Sequence, residues 1–67
     1  MTDTTALIRT ARMALCLTQQ QLGERIGYTG RTAELMIQSI ECGRRKVPRD
    51  KVKALAEVLN LDPMRLL

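Results

Sequence analysis

The sequence predicts an all-α domain of five short helices, and three observations support this fold class. The chain is 45% hydrophobic but has one tyrosine and no Phe or Trp, which suits packed aliphatic helices better than a sheet. Apolar residues recur at three- and four-residue steps along successive segments, and stretches with Gly or Pro separate those segments. The 67 residues have room for one domain, residues 1–67, of marginal stability as a monomer.

The first helix is predicted over residues 5–16, with Leu17 closing it. Its buried stripe consists of Ile8, Ala11 and Leu15. The second helix is predicted over residues 19–26 and begins with a capping box. In that box the Thr18 hydroxyl accepts from the amide of Gln21, and the Gln21 side chain reaches back to the amide of Thr18. The core face of the second helix consists of Leu22 and Ile26.

Two glycines have distinct predicted roles in the next segment. Gly23 allows another backbone to approach the second helix closely, and Gly27 supplies the positive φ of a left-handed cap. Residues 28–31 are predicted to form a polar loop. A third helix follows and ends at Gly43, with Ala33, Ile37 and Ile40 on its inner face. The outward-facing residues of the third helix are Glu34, Leu35, Gln38 and Ser39.

Val47 and Pro48 are predicted to open the fourth helix, with the proline tolerated in the first turn, and Asn60 to cap its end. Its core stripe consists of Val52, Leu55, Ala56 and Leu59. Asp62 as N-cap and Pro63 at the first helical position predict a last short turn. The apolar residues that either fold back on the core or lie at a dimer interface are Leu61, Met64, Leu66 and Leu67.

Basic residues are concentrated in one stretch of the chain. The formal net charge is +4 at pH 7, from 11 Lys and Arg against 7 Asp and Glu. The basic residues within positions 44–53 are Arg44, Arg45, Lys46, Arg49, Lys51 and Lys53. This clustering indicates an anionic partner. Lys51 and Lys53 are expected only to solvate the fourth helix.

Several function classes are disfavoured by composition. The chain has no histidine, and Cys16 and Cys42 have no Cys-x-x-Cys partner, so neither a zinc site nor a Cys–His nucleophile can be assembled. We expect no cofactor and no enzymatic activity, and we expect both cysteines at helix ends. Binding to RNA or to single-stranded nucleic acid is disfavoured, because bases usually stack on several aromatic side chains and Tyr28 is the one aromatic residue of the sequence. No membrane span or signal-peptide pattern is present, so we expect a cytoplasmic protein.

Two groups of residues together carry a family resemblance. The first group is Ile8, Ala11, Arg12, Leu15, Leu17, Thr18, Gln19, Leu22, Gly23 and Gly27. The second group is Ile37, Ile40, Glu41, Gly43, Pro48, Arg49, Leu55, Ala56 and Leu59. On these residues, positions 6–67 resemble the Cro and lambdoid-repressor helix-turn-helix family. This chain departs from the family by about four extra residues between Gly27 and Glu41, placed at 28–31, and by Gly23 in place of the customary alanine.

The resemblance implies a five-helix, lambda-repressor-like domain that binds double-stranded DNA sequence-specifically and regulates transcription. It implies a repressor that binds a palindromic operator as a homodimer, with the third helix in the major groove. A phage or plasmid repressor, a restriction-modification controller and an autoregulatory antitoxin all fit this pattern. When the family pattern is aligned at Glu41, its base-reading positions correspond to Glu34, Leu35 and Ser39, with Gln38 adjacent. When the pattern is aligned at Gly27 instead, the base-reading positions shift to Thr29, Arg31 and Thr32.

Physical chemistry gives these residues specific roles. The backbone amide of Gln19, at a helix N-terminus, favours a phosphate. Arg31 suits guanine O6 and N7 and Gln38 suits adenine N6 and N7, although Arg and Gln are also ordinary surface residues. Ser39 either donates to DNA or bonds a carbonyl one turn back. Glu34 is expected to be an ordinary surface residue, because phosphates repel a carboxylate unless it accepts from cytosine N4 or orients Arg31.

The basic residues after the third helix are expected to lie over the DNA backbone. These phosphate-contacting residues are Arg44, Arg45, Lys46 and Arg49. The resemblance also allows Arg49 to reach a minor groove. Glu41 is expected to belong to the scaffold, where it either accepts hydrogen bonds near the helix end or pairs with an arginine such as Arg12. A hypothesis of a different class is a protein-interaction module, antitoxin-like or a phage-encoded inhibitor, whose apolar patch would consist of Tyr28, Leu35 and Met36.

Overall fold

The computed structural model describes residues 4–66 and confirms the all-α class. Its elements are α1 (Thr4–Ala14), α2 (Gln19–Arg25), α3 (Gly30–Glu41), α4 (Arg49–Leu59) and a 3₁₀ turn (Pro63–Leu66). The fifth element is thus one 3₁₀ turn, and the described part of the chain contains no strand. None of the helices within residues 4–66 has the length and apolar character needed to cross a membrane.

The core is aliphatic and is drawn from every helix. The buried hydrophobic residues are Ile8, Leu22, Ile26, Ala33, Ile37, Ile40, Val52, Leu55, Ala56, Leu59 and Leu66. The predicted inner faces of α2, α3 and α4 are therefore confirmed. The prediction for Leu15 is wrong, because this side chain is 47% exposed. The helix ends at Ala14, one residue before the stripe would reach Leu15, and Leu17 packs against the core instead.

All four helices end in the same hydrogen-bond pattern, the Schellman motif. In each case an amide just past the helix end donates to the carbonyl five residues earlier: Leu17 to Arg12 (3.2 Å), Tyr28 to Gly23 (3.0 Å), Arg44 to Ser39 (3.0 Å) and Leu61 to Ala56 (2.8 Å). The residue before each donor has a positive φ: Cys16 (58°), Gly27 (109°), Gly43 (84°) and Asn60 (57°). The predicted turns at Gly27 and Asn60 are confirmed, and the expected helix-end position of Cys16 is confirmed as well.

The beginning of α2 confirms the capping box. The Thr18 hydroxyl accepts from the Gln21 amide at 3.0 Å, and the Thr18 amide donates to Oε1 of Gln21 at 2.8 Å. One turn later, buried Gly23 lies directly against α3. A Cβ added there would lie 2.4 Å from the carbonyl oxygen of Ala33, so the two helices cross backbone to backbone. The predicted close approach at Gly23 is confirmed.

The beginnings of α3 and α4 differ from the predictions. Gly30 and Arg31 were expected in a loop, but they form the first turn of α3. The extended backbone of Thr29 starts the helix, and the Ala33 amide donates to the Thr29 carbonyl at 3.3 Å. The connection between α2 and α3 is therefore only residues 26–29. Pro48 lies at the N-cap of α4 rather than inside its first turn.

The last turn packs onto the core through Leu66. The Met64 amide donates to the Asp62 carboxylate at 3.0 Å, so the predicted cap is confirmed. Leu66 is 4% exposed and Leu61 packs against the core, whereas Met64 is 73% exposed. Met64 is thus the large exposed apolar side chain among the described candidates for a dimer interface, and Leu67 lies outside the described residues.

Candidate nucleic-acid interface

The outer face of α3 presents a continuous set of polar and apolar side chains. Its exposed residues are Arg31, Thr32, Glu34, Leu35 and Gln38. Ser39 is half-buried, and Thr29 is exposed immediately before the helix. Because α3 includes Gly30 and Arg31, the candidates from both alignments lie on one helix or at its start. The two predicted sets of base-reading positions therefore belong to one surface.

The basic residues that follow α3 are positioned by the end of this helix. The Ser39 carbonyl accepts from the amides of Arg44 (3.0 Å) and Arg45 (3.2 Å), while Gly43 turns the chain with its positive φ. Arg44, Arg45 and Lys46 are exposed, and Val47 then packs against the core. The chain enters α4 with an exposed Arg49 at its first residue. We call Arg44, Arg45, Lys46 and Arg49 the basic segment.

The charges of this surface are free to meet a partner. Within residues 4–66, no carboxylate lies at ion-pair distance from Arg31 or from any cation of the basic segment. Arg44 lies two residues after Cys42, which caps α3, so the basic segment begins within about one turn of the end of the helix.

A largely buried ion pair between Arg12 and Glu41 lies next to the candidate interface. Arg12 donates from Nε to Oε2 of Glu41 at 2.6 Å and from Nη2 to Oε1 at 3.1 Å, and its Nη1 donates to the Leu17 carbonyl at 2.8 Å. The two side chains are 13% and 5% exposed. The expected pairing of Glu41 with Arg12 is confirmed. The pair joins α1 to the end of α3 with the bidentate geometry that favours Arg over Lys.

Gln19 takes part in the same network. Its side-chain amide donates to Oε1 of Glu41 at 3.3 Å, a contact that sequence reasoning missed while assigning its backbone amide to a phosphate. A recess of about 270 Å³ adjoins the network and is lined by Arg9, Arg12, Gln19, Gln38, Glu41 and Cys42. Gln38 and Gln19 thus border one depression, in which the exposed face of α3 meets the beginning of α2.

The turn between α2 and α3 is covered by Lys51. Its ammonium group lies 5.0 Å from the centroid of the Tyr28 ring, a cation–π distance, and close above Gly27. The prediction that Lys51 only solvates α4 is wrong, because the packing of α4 brings it to this turn. Lys53 is exposed. Tyr28 and Met36 are both half-buried and Tyr28 packs against the core, so Leu35 is the exposed member of the predicted apolar patch.

The two cysteines are exposed and free. Cys42 caps α3, which confirms its predicted helix-end position, and its thiol donates to the Ser39 carbonyl at 3.6 Å. In the described part of the chain, no group of three or more Cys, Asp or Glu side chains is arranged to hold a metal ion.

Comparison of the chain with protein-family models, with curated proteins and with solved structures gives no match. Its function is therefore inferred from its own residues.

Proposed function

We propose that this chain is a transcriptional repressor that binds a palindromic operator in duplex DNA as a homodimer, with α3 in the major groove. The proposal assigns α2 and α3 to a helix-turn-helix of the Cro and lambdoid-repressor type. One observation carries it: the exposed face of α3 is followed directly in the chain by the exposed basic segment, whose four cations have no carboxylate at ion-pair distance within residues 4–66.

The dimensions of α3 suit the major groove. The groove is about 12 Å wide and admits one α-helix. With 12 residues, α3 is about 18 Å long. The inner face of α3 is fixed by the buried residues Ala33, Ile37 and Ile40, and Gly23 holds α2 across its back. This support leaves the opposite face of α3 available to base edges.

Electrostatics favours the same orientation. When α3 lies in the groove, the basic segment beyond its C-terminus lies near the phosphate backbone. Each phosphate that a cation neutralises releases counterions and steepens the salt dependence of binding by about 0.9 in the slope of log K against log salt. The basic segment thus supplies affinity and orientation rather than sequence selectivity.

Sequence selectivity would come from the exposed side chains of α3. Arg31 suits guanine, Gln38 suits adenine and Leu35 suits the methyl group of thymine, each good bidentate pair giving about 1–3 kcal/mol of discrimination. Thr32 and Ser39 offer hydroxyl groups beside these residues. One helix reads few base pairs, so useful selectivity requires two subunits on half-sites about 34–36 Å apart. Met64, 73% exposed, is our candidate for the subunit interface.

The test is the salt dependence of binding to a short duplex of random sequence. Arg44→Gln should lower the magnitude of the slope of log K against log salt by about 0.9, because one phosphate contact is lost. Lys53→Gln is the matched control: it removes the same charge from an exposed position of α4 outside the basic segment. Equal changes in both variants would mean that net charge alone drives binding, which would contradict the proposed surface.

A second candidate function is docking of a protein partner on α3. Leu35 is 47% exposed at the middle of this helix, and Met36 beside it is half-buried. Exposed aliphatic side chains at the centre of a polar surface are typical of protein interfaces. This function predicts that Leu35→Ala weakens capture of a protein partner while binding to duplex DNA stays weak and independent of sequence.

A further inference from the structure

Glu34 is an acidic residue on the exposed face of α3, the helix that the basic segment follows. It is exposed on α3, one turn after Arg31 and one turn before Gln38. No Lys or Arg among residues 4–66 lies within ion-pair distance of its carboxylate. Arg31 in particular does not pair with it. In the free protein the carboxylate therefore does not orient the neighbouring arginine.

An unpaired carboxylate has a definite cost in the proposed complex. Phosphates repel it, and a desolvated carboxylate without hydrogen-bond donors is strongly unfavourable. That cost disappears when a base edge donates to it. The major-groove edge of guanine offers the acceptors N7 and O6, and that of thymine offers O4 and a methyl group. Adenine offers one donor beside the acceptor N7, whereas cytosine offers its N4 amino group without an adjacent ring acceptor.

We propose that Glu34 is the specificity-determining residue that selects cytosine in each half-site, an inference that rests on the proposed function. Its carboxylate accepts a hydrogen bond from cytosine N4. At any sequence without a donor in that place, the same carboxylate opposes binding. Glu34 thus widens the difference between specific and non-specific affinity instead of adding to general affinity for DNA.

The separation of Glu34 and Gln38 along α3 predicts how far apart the two bases that they read should lie. Glu34 and Gln38 are four residues apart on the exposed face of α3, which corresponds to about 6 Å along the helix axis. Successive bases are spaced by about 3.4 Å along a strand. The cytosine accepted by Glu34 and the adenine suited to Gln38 should therefore lie within about two base pairs of each other.

The test compares sequences enriched from a random duplex pool by the wild type and by variants. Glu34→Ala removes the acceptor, and Glu57→Ala is the matched control, since Glu57 is an exposed helical glutamate on α4. The wild type and Glu57→Ala should enrich one motif with a fixed cytosine. Glu34→Ala should lose that preference alone, bind the wild-type site about 5- to 150-fold more weakly, and bind a scrambled duplex more tightly. Glu34→Gln should shift the preference towards adenine.

Two outcomes would overturn this inference, and they differ in what else they contradict. If the wild type and Glu34→Ala enrich the same motif with equal affinity, Glu34 does not read a base, while the proposed function stands. If the wild type enriches no motif, the proposed function fails and the inference fails with it. Far-UV circular dichroism of each variant verifies that it is folded.

Discussion

Gly23→Ala should destabilise the protein, although intrinsic helix propensity predicts the opposite. Alanine in a helix interior is favoured over glycine by about 1 kcal/mol. At this position, however, a Cβ would lie 2.4 Å from the carbonyl oxygen of Ala33 and 2.7 Å from its carbonyl carbon and Cα. The atoms in the way belong to the backbone of α3, so no side-chain rotation can remove the overlap. Only separation of α2 from α3 can.

The size of the effect follows from these distances. Ordinary contact begins at 3.4 Å, so the helices must separate by about 1 Å. Such a shift loosens the packing of Leu22 and Ile37, which are both fully buried. Overpacking of this kind costs typically about 1–3 kcal/mol, and a backbone obstacle puts the cost at the upper end. After subtraction of the propensity gain, we expect a net loss of about 2 kcal/mol in the free energy of unfolding.

Urea denaturation followed by circular dichroism at 222 nm measures this loss in a chain with no Trp and one tyrosine. The double variant Gly23→Ala/Ala33→Gly sharpens the test. Because the contacts are to backbone atoms of Ala33, removal of its side chain should not restore stability. A Gly23→Ala variant that is more stable than the wild type, or a full rescue by Ala33→Gly, would refute the backbone-to-backbone crossing.

Two further substitutions test the helix ends and the interior ion pair by the same measurement. Glu41→Ala should destabilise by about 2–4 kcal/mol, because it leaves the 13%-exposed Arg12 side chain without its carboxylate partner. Cys16→Gly should stabilise by about 0.5–1 kcal/mol: it relieves a left-handed backbone that costs a residue with a Cβ about 1–2 kcal/mol, less the entropy of glycine.

The controls for these two substitutions are available on the same chain. Glu57→Ala removes an exposed helical glutamate without a charged partner among residues 4–66, so it should change stability by less than about 0.5 kcal/mol. A loss for Glu41→Ala no larger than this would contradict the supporting role of the ion pair. Cys42→Gly, at an exposed cap with negative φ, should not stabilise. Equal gains at both cysteines would argue against strain at Cys16.

Local chemistry made much of the fold predictable from sequence. The capping box depends on Thr18 and Gln21, two side chains three residues apart, and both of its predicted hydrogen bonds form. The left-handed turns follow from glycine at 27 and 43 and from asparagine at 60. The core stripes of α2, α3 and α4 depend only on helical periodicity, which the sequence displays directly.

Features that depend on where a helix stops, or on distant segments, were not predictable in this way. The periodic stripe of α1 includes Leu15, but the helix already ends at Ala14, in a turn where Cys16 adopts a left-handed conformation. A cysteine carries no sequence signal for that conformation. Lys51 meets Tyr28 only because α4 packs beside the turn, more than twenty positions further along the chain. The outward face of α3 was predicted, but the start of this helix at Gly30 was not.

The claim that this chain binds duplex DNA with sequence selectivity is tested by enrichment from a random duplex pool at near-physiological salt. We predict an inverted repeat with half-sites one helical turn apart, bound at least about 10³-fold more tightly than a scrambled duplex. The absence of any enriched sequence, together with binding that vanishes as salt increases, would contradict the claim and direct attention to a protein partner at Leu35.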